Sequence, residues 1–306
     1  MQRRDLLAAI SALICLAPML GAAQAPVATP ATRTVFVTAL DEQGVPVAGL
    51  TAADFAVKEE GQARRVVAAS ATEAPLVVAL MVDNSGLGLQ SIREGAAALI
   101  TRLRGVAQIA LITTGGRNVA MVDFTRDTSL LMSALNRVLT NNVTGAFLTD
   151  GFLEVARVFG QREAERPVIV SIGVEGQDFS EARPDALLAA LQRTRTQLYM
   201  VRIGNPVFGQ SNPAGANRGE SLADEQTRFN SILGQAPPRT GGRIEQLTSH
   251  VGIPVRVEAI ANELASQYEV TYATAQPGGV DLRLEVSSTR RGVRMRAPTR
   301  VGPPRP

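Results

Sequence analysis

Asp83 and Ser85 close an unbroken apolar run, Leu76-Val-Val-Ala-Leu-Met-Val82. The residues after them, from Gly88 to Arg104, carry Ile92, Ala96, Leu99, Ile100 and Leu103 at helical spacing. An acid and a hydroxyl at the C-terminal end of a buried strand, just ahead of a helix, sit where open α/β sheets bind their ligands. The same pair can also work without any ligand, accepting the helix's free N–H groups and complementing its dipole. That cap needs fewer parts and is the preferred reading. Nucleophilic chemistry would have to use Ser85 or Ser249 with His250, the single histidine. No Gly-x-Ser-x-Gly elbow accompanies either serine, so His250 reads as a structural residue.

Composition removes other chemistries. Lys58 is the only lysine among 31 basic residues, so a phosphate loop ending in Gly-Lys-Ser/Thr is absent and a Schiff base could form nowhere else. One histidine cannot make a two-histidine zinc site. Arg3-Arg4, the apolar run Leu6 to Leu20 and the small residues ending Ala23-Gln24-Ala25 read as an export signal of the general or twin-arginine type. The run falls short of the roughly 20 apolar residues of a membrane span. Residues 1–25 are therefore expected to be removed, an uncleaved N-terminal anchor being the alternative. Cys15, the only cysteine, goes with them and leaves no thiol for a disulfide or a metal. A formal charge of +3 over 306 residues gives no pull toward nucleic acid or another polyanion.

The elements that must hold these residues follow from periodicity. Residues 26–33, rich in Pro, Ala and Thr, read as a flexible leader. In 34–72, Val35, Val37 and Ala39 alternate along a strand, Asp41 to Gly44 supply a turn, and two further strands flank Gly61. From Pro75 the pattern alternates strands and helices: strands Gln108–Thr113, Asn118–Phe124, Pro167–Gly173 and Gln197–Ile203, with helices Thr128–Leu139, Leu148–Phe159 and Ser180–Arg193. This alternation predicts a doubly wound, mostly parallel sheet with helices on both faces. Residues 205–243 form a long loop carrying one short helix, Leu222–Leu233. Strand Gly242–Leu247 and helix Pro254–Ser266 complete the α/β unit, 75–266. The chain then returns to β periodicity over 267–300, with Tyr268 and Tyr272 on one side of a strand, and ends in a Pro-rich tail, 301–306. Arg290, Arg291, Arg294 and Arg296 read as the solvated face of a strand whose Val293, Met295 and Ala297 turn inward; contact with an anionic envelope polymer is the other use of that cluster. The two β-rich flanks are expected to pair as one small β-sandwich into which the α/β unit is inserted.

The motifs sharpen this into a resemblance. Asp83-x-Ser85-x-Leu87 is similar to the Asp-x-Ser-x-Ser of the metal-ion-dependent adhesion site in von Willebrand factor A domains. The N-terminal Asp41-x-x-Gly44-x-Pro46-Val47-x-Gly49-Leu50 and Asp54-Phe55-x-Val57-x-Glu59-x-Gly61 resemble the opening of a bacterial exported group called VWFA-related. Thr240-Gly241-Gly242-Arg243 and Glu263-Leu264-x-Ser266-Gln267-Tyr268-x-Val270-x-Tyr272 resemble its closing motifs. The resemblance implies a Rossmann-like sheet of six strands, one of them antiparallel, with a metal held above its C-terminal edge by three loops. Here Leu87 replaces the second serine, Ala146 stands where the second loop, Thr144 to Asp150, would supply a liganding threonine, and Glu175 replaces the aspartate of the third loop. Only Asp83, Ser85 and Glu175 remain as candidate metal ligands. Magnesium needs near-octahedral oxygen ligation at about 2.0 to 2.1 Å, and this set is too poor for it. Glu175 alone reads as a solvated loop acid, Asp178 as the cap of the helix from Ser180, and Asp150 as a cap of its own helix.

The sequence thus points to a non-enzymatic interaction or adhesion module, exported to the periplasm or cell exterior. It is expected to work without a cofactor and to dock an unidentified envelope protein, with no nucleic acid and no membrane beyond the signal segment. The alternatives are a magnesium-dependent (or other divalent cation-dependent) adhesion module built on Asp83, Ser85 and Glu175, and an envelope serine hydrolase.

Overall fold

The computed structural model describes residues 31–86, 88–141, 145–176, 178–204, 233–279 and 281–302. Alternation sets the first strand, β1 (Thr32–Leu40), in which Val35, Val37 and Ala39 are buried. Its turn is fixed by Asp41, whose Oδ1 accepts the N–H groups of Gln43 and Val45 at 2.9 and 2.8 Å. Strands β2 (Phe55–Glu59), β3 (Gln62–Arg64) and β4 (Val66–Ala71) follow. The α/β unit then runs β5 (Leu76–Val82), α1 (Leu89–Arg102), β6 (Ala107–Thr113), β7 (Val119–Thr125), α2 (Thr128–Asn136), α3 (Leu148–Gln161), β8 (Arg166–Val174), α4 (Pro184–Thr194) and β9 (Gln197–Ile203). Residues 233–240 are helical (α5). After them come β10 (Ile244–Leu247), a 3-10 turn at His250–Gly252 and α6 (Ile253–Ala265). Four strands close the chain: β11 (Tyr268–Ala273), β12 (Leu282–Ser288), β13 (Arg294–Arg296) and β14 (Arg300–Val301). The helix expected at Leu222–Leu233 and most of the long loop fall on 205–232, outside the described residues.

The central sheet has the order β10-β9-β8-β5-β6-β7, with every neighbour parallel except the edge strand β7. All seven residues of β5 are buried because both faces are covered. Val78, Leu80 and Val82 pack with Ile92 and Leu99 of α1 and Val257 and Ile260 of α6. Val77, Ala79 and Met81 pack with Phe152 and Phe159 of α3 and Leu187 and Leu191 of α4. Leu103 to Ala107 turn tightly, bringing the chain from α1 straight into β6.

The flanks pair as two four-stranded sheets, β13-β1-β11-β4 and β14-β12-β2-β3. Val35 and Val37 of β1, Phe55 and Val57 of β2, Tyr268 and Tyr272 of β11 and Leu284 of β12 share one core between them. Each sheet combines strands from both segments, alternating in the first, so neither flank could bury its apolar face alone.

Four boundaries differ from expectation. Strand β1 starts at Thr32, inside the segment read as a leader, because Arg33 is buried and donates to Gln276 O at 3.1 Å. Helix α2 stops at Asn136, and Val138 N–H closes a turn on Leu135 O. Helix α4 starts at Pro184 and not at Ser180, since proline at N1 holds the preceding Arg183 extended. The tail begins later than residue 301, because Val301 is buried opposite Leu282. Arg296 also departs from the solvated face assigned to it: it is ion-paired with the buried Glu263. No helix among the described residues is long and apolar enough to cross a membrane.

Candidate functional site

Asp83 extends β5 by one residue, its N–H donating to Ile172 O at 2.9 Å. Because Val82 lies opposite Ile172, and Gly173 opposite Arg202, the residues Asp83, Gly173 and Arg202 form a row across three adjacent strands. By alternation this row continues the face of Met81, Ile169 and Met200, toward α3 and α4. The glycine in the middle matters. A Cβ there would stand 2.9 Å from Asp83 Cβ and 3.2 Å from Oδ2, so the carboxylate lies over a residue that has no side chain.

Each oxygen of the Asp83 carboxylate accepts a backbone N–H. Oδ1 accepts Ser85 N–H at 2.8 Å and Oδ2 accepts Val174 N–H at 3.0 Å. This replaces the helix cap expected of Asp83 and Ser85: the N-cap of α1 is Gly88, in the left-handed region, with no side-chain cap. Ser85 takes part through its backbone, and Glu175, half-buried, donates its N–H to Ile203 O at 2.8 Å. Leu87 lies outside the described residues.

Arg202 is the feature that the sequence reading passed over. It is 6% exposed at the end of β9. Loss of hydration pulls its guanidinium below the usual arginine range, while Glu175, Asp83 and Asp178 oppose that shift. Its Nε has no hydrogen-bond partner, and none of the three acids forms a direct ion pair with it. A guanidinium therefore supplies positive charge among the same loop acids that the resemblance assigned to a cation.

The loops around the row are interlocked. Asn84 Oδ1 accepts Gly115 N–H at 2.9 Å and its Nδ2 donates to Leu139 O at 2.9 Å; Asn141 Nδ2 donates to Gly115 O at 2.8 Å. Asn118 Nδ2 donates to Phe147 O at 2.7 Å, and Phe179 N–H to Ala146 O at 2.8 Å. The two acids read as local caps exchange places. Asp178 caps α3, accepting Leu148 N–H at 2.8 Å and the Thr149 hydroxyl at 2.7 Å. Asp150, in the first turn of α3, instead accepts Ala182 N–H at 2.8 Å and Glu181 N–H at 3.2 Å. Ser180 links them, donating to Asp178 at 2.7 Å and accepting Asp150 N–H at 3.0 Å.

The oxygen donors at this edge are few and already hydrogen-bonded. Both Asp83 oxygens face backbone donors, the oxygens of Asp178 accept from the start of α3 and from Ser180, and Ala146 brings only a methyl group. A buried guanidinium adjoins what would be the ligand set. Among the described residues no three carboxylate, imidazole or thiol groups converge closely enough to hold a metal. His250 lies against Gly88, while Ser249 Oγ accepts Val251 N–H at 3.4 Å; no hydrogen bond joins His250 to a serine among the described residues. Exposed apolar side chains rim this edge: Leu139, Phe179, Val251 and Val255.

Strand order and the antiparallel edge strand give the α/β unit a fold of the von Willebrand factor A type, carried on a sandwich of the chain's two flanks. No protein-family model and no curated protein sequence matches the chain. Among solved structures it is similar to the conserved hypothetical protein BatB from Bacteroides thetaiotaomicron, at 16% identity over 63% of this chain and 100% of that one, with a TM-score of 0.43. It is also similar to a von Willebrand factor type A protein from Catenulispora acidiphila, at 9% identity over 90% of this chain and 74% of that one, TM-score 0.48. A third is an aerotolerance-related membrane protein from Bacteroides fragilis, at 16% identity over 61% and 99%, TM-score 0.41.

Proposed function

We propose that the chain is an exported, non-enzymatic interaction module that docks a protein partner through its strand-end loops without a metal. The observation that supports metal independence is Arg202, a buried guanidinium that offsets part of the negative charge of Asp83, Glu175 and Asp178. Docking is supported by the rim: four large apolar side chains stand exposed, Leu139 and Phe179 on loops that hydrogen bonds hold in place, Val251 in the 3-10 turn and Val255 in the first turn of α6, and a preorganised surface loses little entropy on binding. Export to the periplasm or cell exterior rests on the N-terminal segment, 1–25.

The test is cross-linked capture from native envelopes, in magnesium and in excess chelator, with the chain and a Val251→Asp/Val255→Asp variant. The expected result is the same captured band in both buffers and its loss in the variant. Capture abolished by chelator, or saturable magnesium or manganese binding by calorimetry that disappears in Asp83→Ala, overturns the metal-independent reading. Capture unchanged in the variant removes the rim as the docking surface.

A further inference from the structure

Away from the strand-end loops, a cleft of about 430 Å³ opens where the turn after β1, the strand β13, the start of β10 and helix α6 meet. Four arginines line it: Arg243, Arg256, Arg294 and Arg296. At its floor the buried Glu263 pairs with Arg243 at 3.2 Å through Oε1 and with Arg296 through Oε2. Glu245 pairs with Arg243 and, at 3.8 Å, with Arg256. Arg294 has only the main-chain oxygens of Asp41 and Glu42, at 3.4 and 3.3 Å. Asp41's own carboxylate is committed to the turn. Four guanidinium groups thus share two carboxylates in ion pairs, and Arg294 has no ion-paired acid among the described residues.

The floor is short of partners as well as of negative charge. Arg243 Nε is buried and makes no hydrogen bond, and a buried donor left unmade is costly. Burial pulls the Arg243 guanidinium down, opposed first by Glu263, so an added anion would relieve a cost already present. A second cleft of about 500 Å³ on the other side of β13 shares Arg243, Met295 and Arg296, so the floor is open from two directions. Guanidinium forks suit carboxylate and phosphate alike, but charge separates the two. A phosphate monoester carries about −1.5 to −2 at neutral pH and offers three acceptor oxygens, enough to meet two guanidinium groups at once; a carboxylate carries one charge on two oxygens.

We propose that this cleft binds a phosphate-bearing oxyanion, with Arg256 and Arg294 at the mouth taking its oxygens and Arg243 and Arg296 setting the field at the floor. The arginines around β13 that looked like a merely solvated face are then one wall of a binding site. The ligand is either a free phosphate compound or a phosphate group on an envelope polymer, the chemistry being the same.

The test is calorimetric titration of the full chain at fixed ionic strength with inorganic phosphate, a polyphosphate chain and acetate. Arg256→Gln/Arg294→Gln is the main variant and each single substitution a second. Both side chains are exposed, so folding is expected to survive, and a thermal melt checks it. Saturable phosphate binding, weakened about tenfold or more in the double variant, is expected, because each lost charge-assisted bond is worth about that factor. Tighter binding of polyphosphate per phosphate group assigns a polymer; equal binding assigns a free compound. No saturable phosphate binding, equal affinity for acetate, or affinity unchanged in every variant overturns the proposal.

Discussion

Glu59 in the sandwich and Arg202 at the sheet edge are both buried charges, and the protein treats them in opposite ways. Glu59, 0% exposed, is surrounded by direct partners: the Tyr272 hydroxyl at 3.1 Å, the Thr274 hydroxyl at 2.9 and 2.7 Å, Arg33 at 3.6 Å and Arg64 at 3.7 Å. Burial and the Glu59 charge both push the Tyr272 hydroxyl up, so it remains a donor. Arg202 has acids near it and no direct bond to any of them, because backbone N–H groups hold Asp83 and the end of α3 holds Asp178. A charge bonded on all sides fixes geometry. A charge balanced through space cancels a field and leaves the loops free to be shaped by their own hydrogen bonds.

The largest effect is expected from breaking the bonded center. Glu59→Ala leaves Arg33, 2% exposed, without its acid and leaves the Tyr272 and Thr274 hydroxyls without their acceptor. Arg33 Nε and Nη1 already lack hydrogen bonds, so no spare partner stands ready. Removing one side of such a center costs about 3 to 5 kcal/mol. Chemical denaturation of the two proteins measures it, and a loss under about 1 kcal/mol would mean that Glu59 is not the keystone described.

A smaller loss is expected at the glycine that separates Asp83 from Arg202. Gly173→Ala places a methyl group 2.9 Å from Asp83 Cβ, closer than side chains approach, and the carboxylate must move. Overpacking of this kind costs about 1 to 3 kcal/mol. Amide exchange locates the damage: the Ser85 and Val174 N–H groups, bonded to that carboxylate, should lose protection while β5 keeps its own. Unchanged protection at both amides would show that the row tolerates a side chain.

Much of this architecture is legible in the sequence, and the reasons are local. A seven-residue apolar run can only be a strand covered on both faces, and the alternation of Val35, Val37 and Ala39 with that of Tyr268, Val270 and Tyr272 shows which sides of the flanks must meet. The site is legible as a place and not as a set of roles. Asp150 and Asp178 each look like caps of their own helices, yet their partners are about 30 residues away, because β8 carries the chain across the domain and brings two helix ends together. The helix start expected at Ser180 gave way because Pro184 decides where α4 can begin. Arg202 is one polar residue in the run Leu-Tyr-Met-Val-Arg-Ile, and it acquires meaning only from register, which sets it beside a glycine and then an aspartate.

The smallest effect is expected where charge is balanced only through space. Arg202→Met removes a guanidinium that pays a desolvation cost and has an unbonded Nε, and replaces it with an apolar chain beside Leu198 and Met200. The three carboxylates lose a favourable field, but each keeps the backbone or solvent contacts that place it. Exchanging a buried charge for a packed apolar group is often close to neutral, so a change within about 1 kcal/mol is expected, well below that of Glu59→Ala. Adding Asp83→Asn and completing the double-mutant cycle isolates the through-space part, expected near 0.5 to about 1.5 kcal/mol. A loss as large as that of Glu59→Ala would erase the distinction between the two centers, since it would make Arg202 a bonded anchor of the loops and not a charge felt through space.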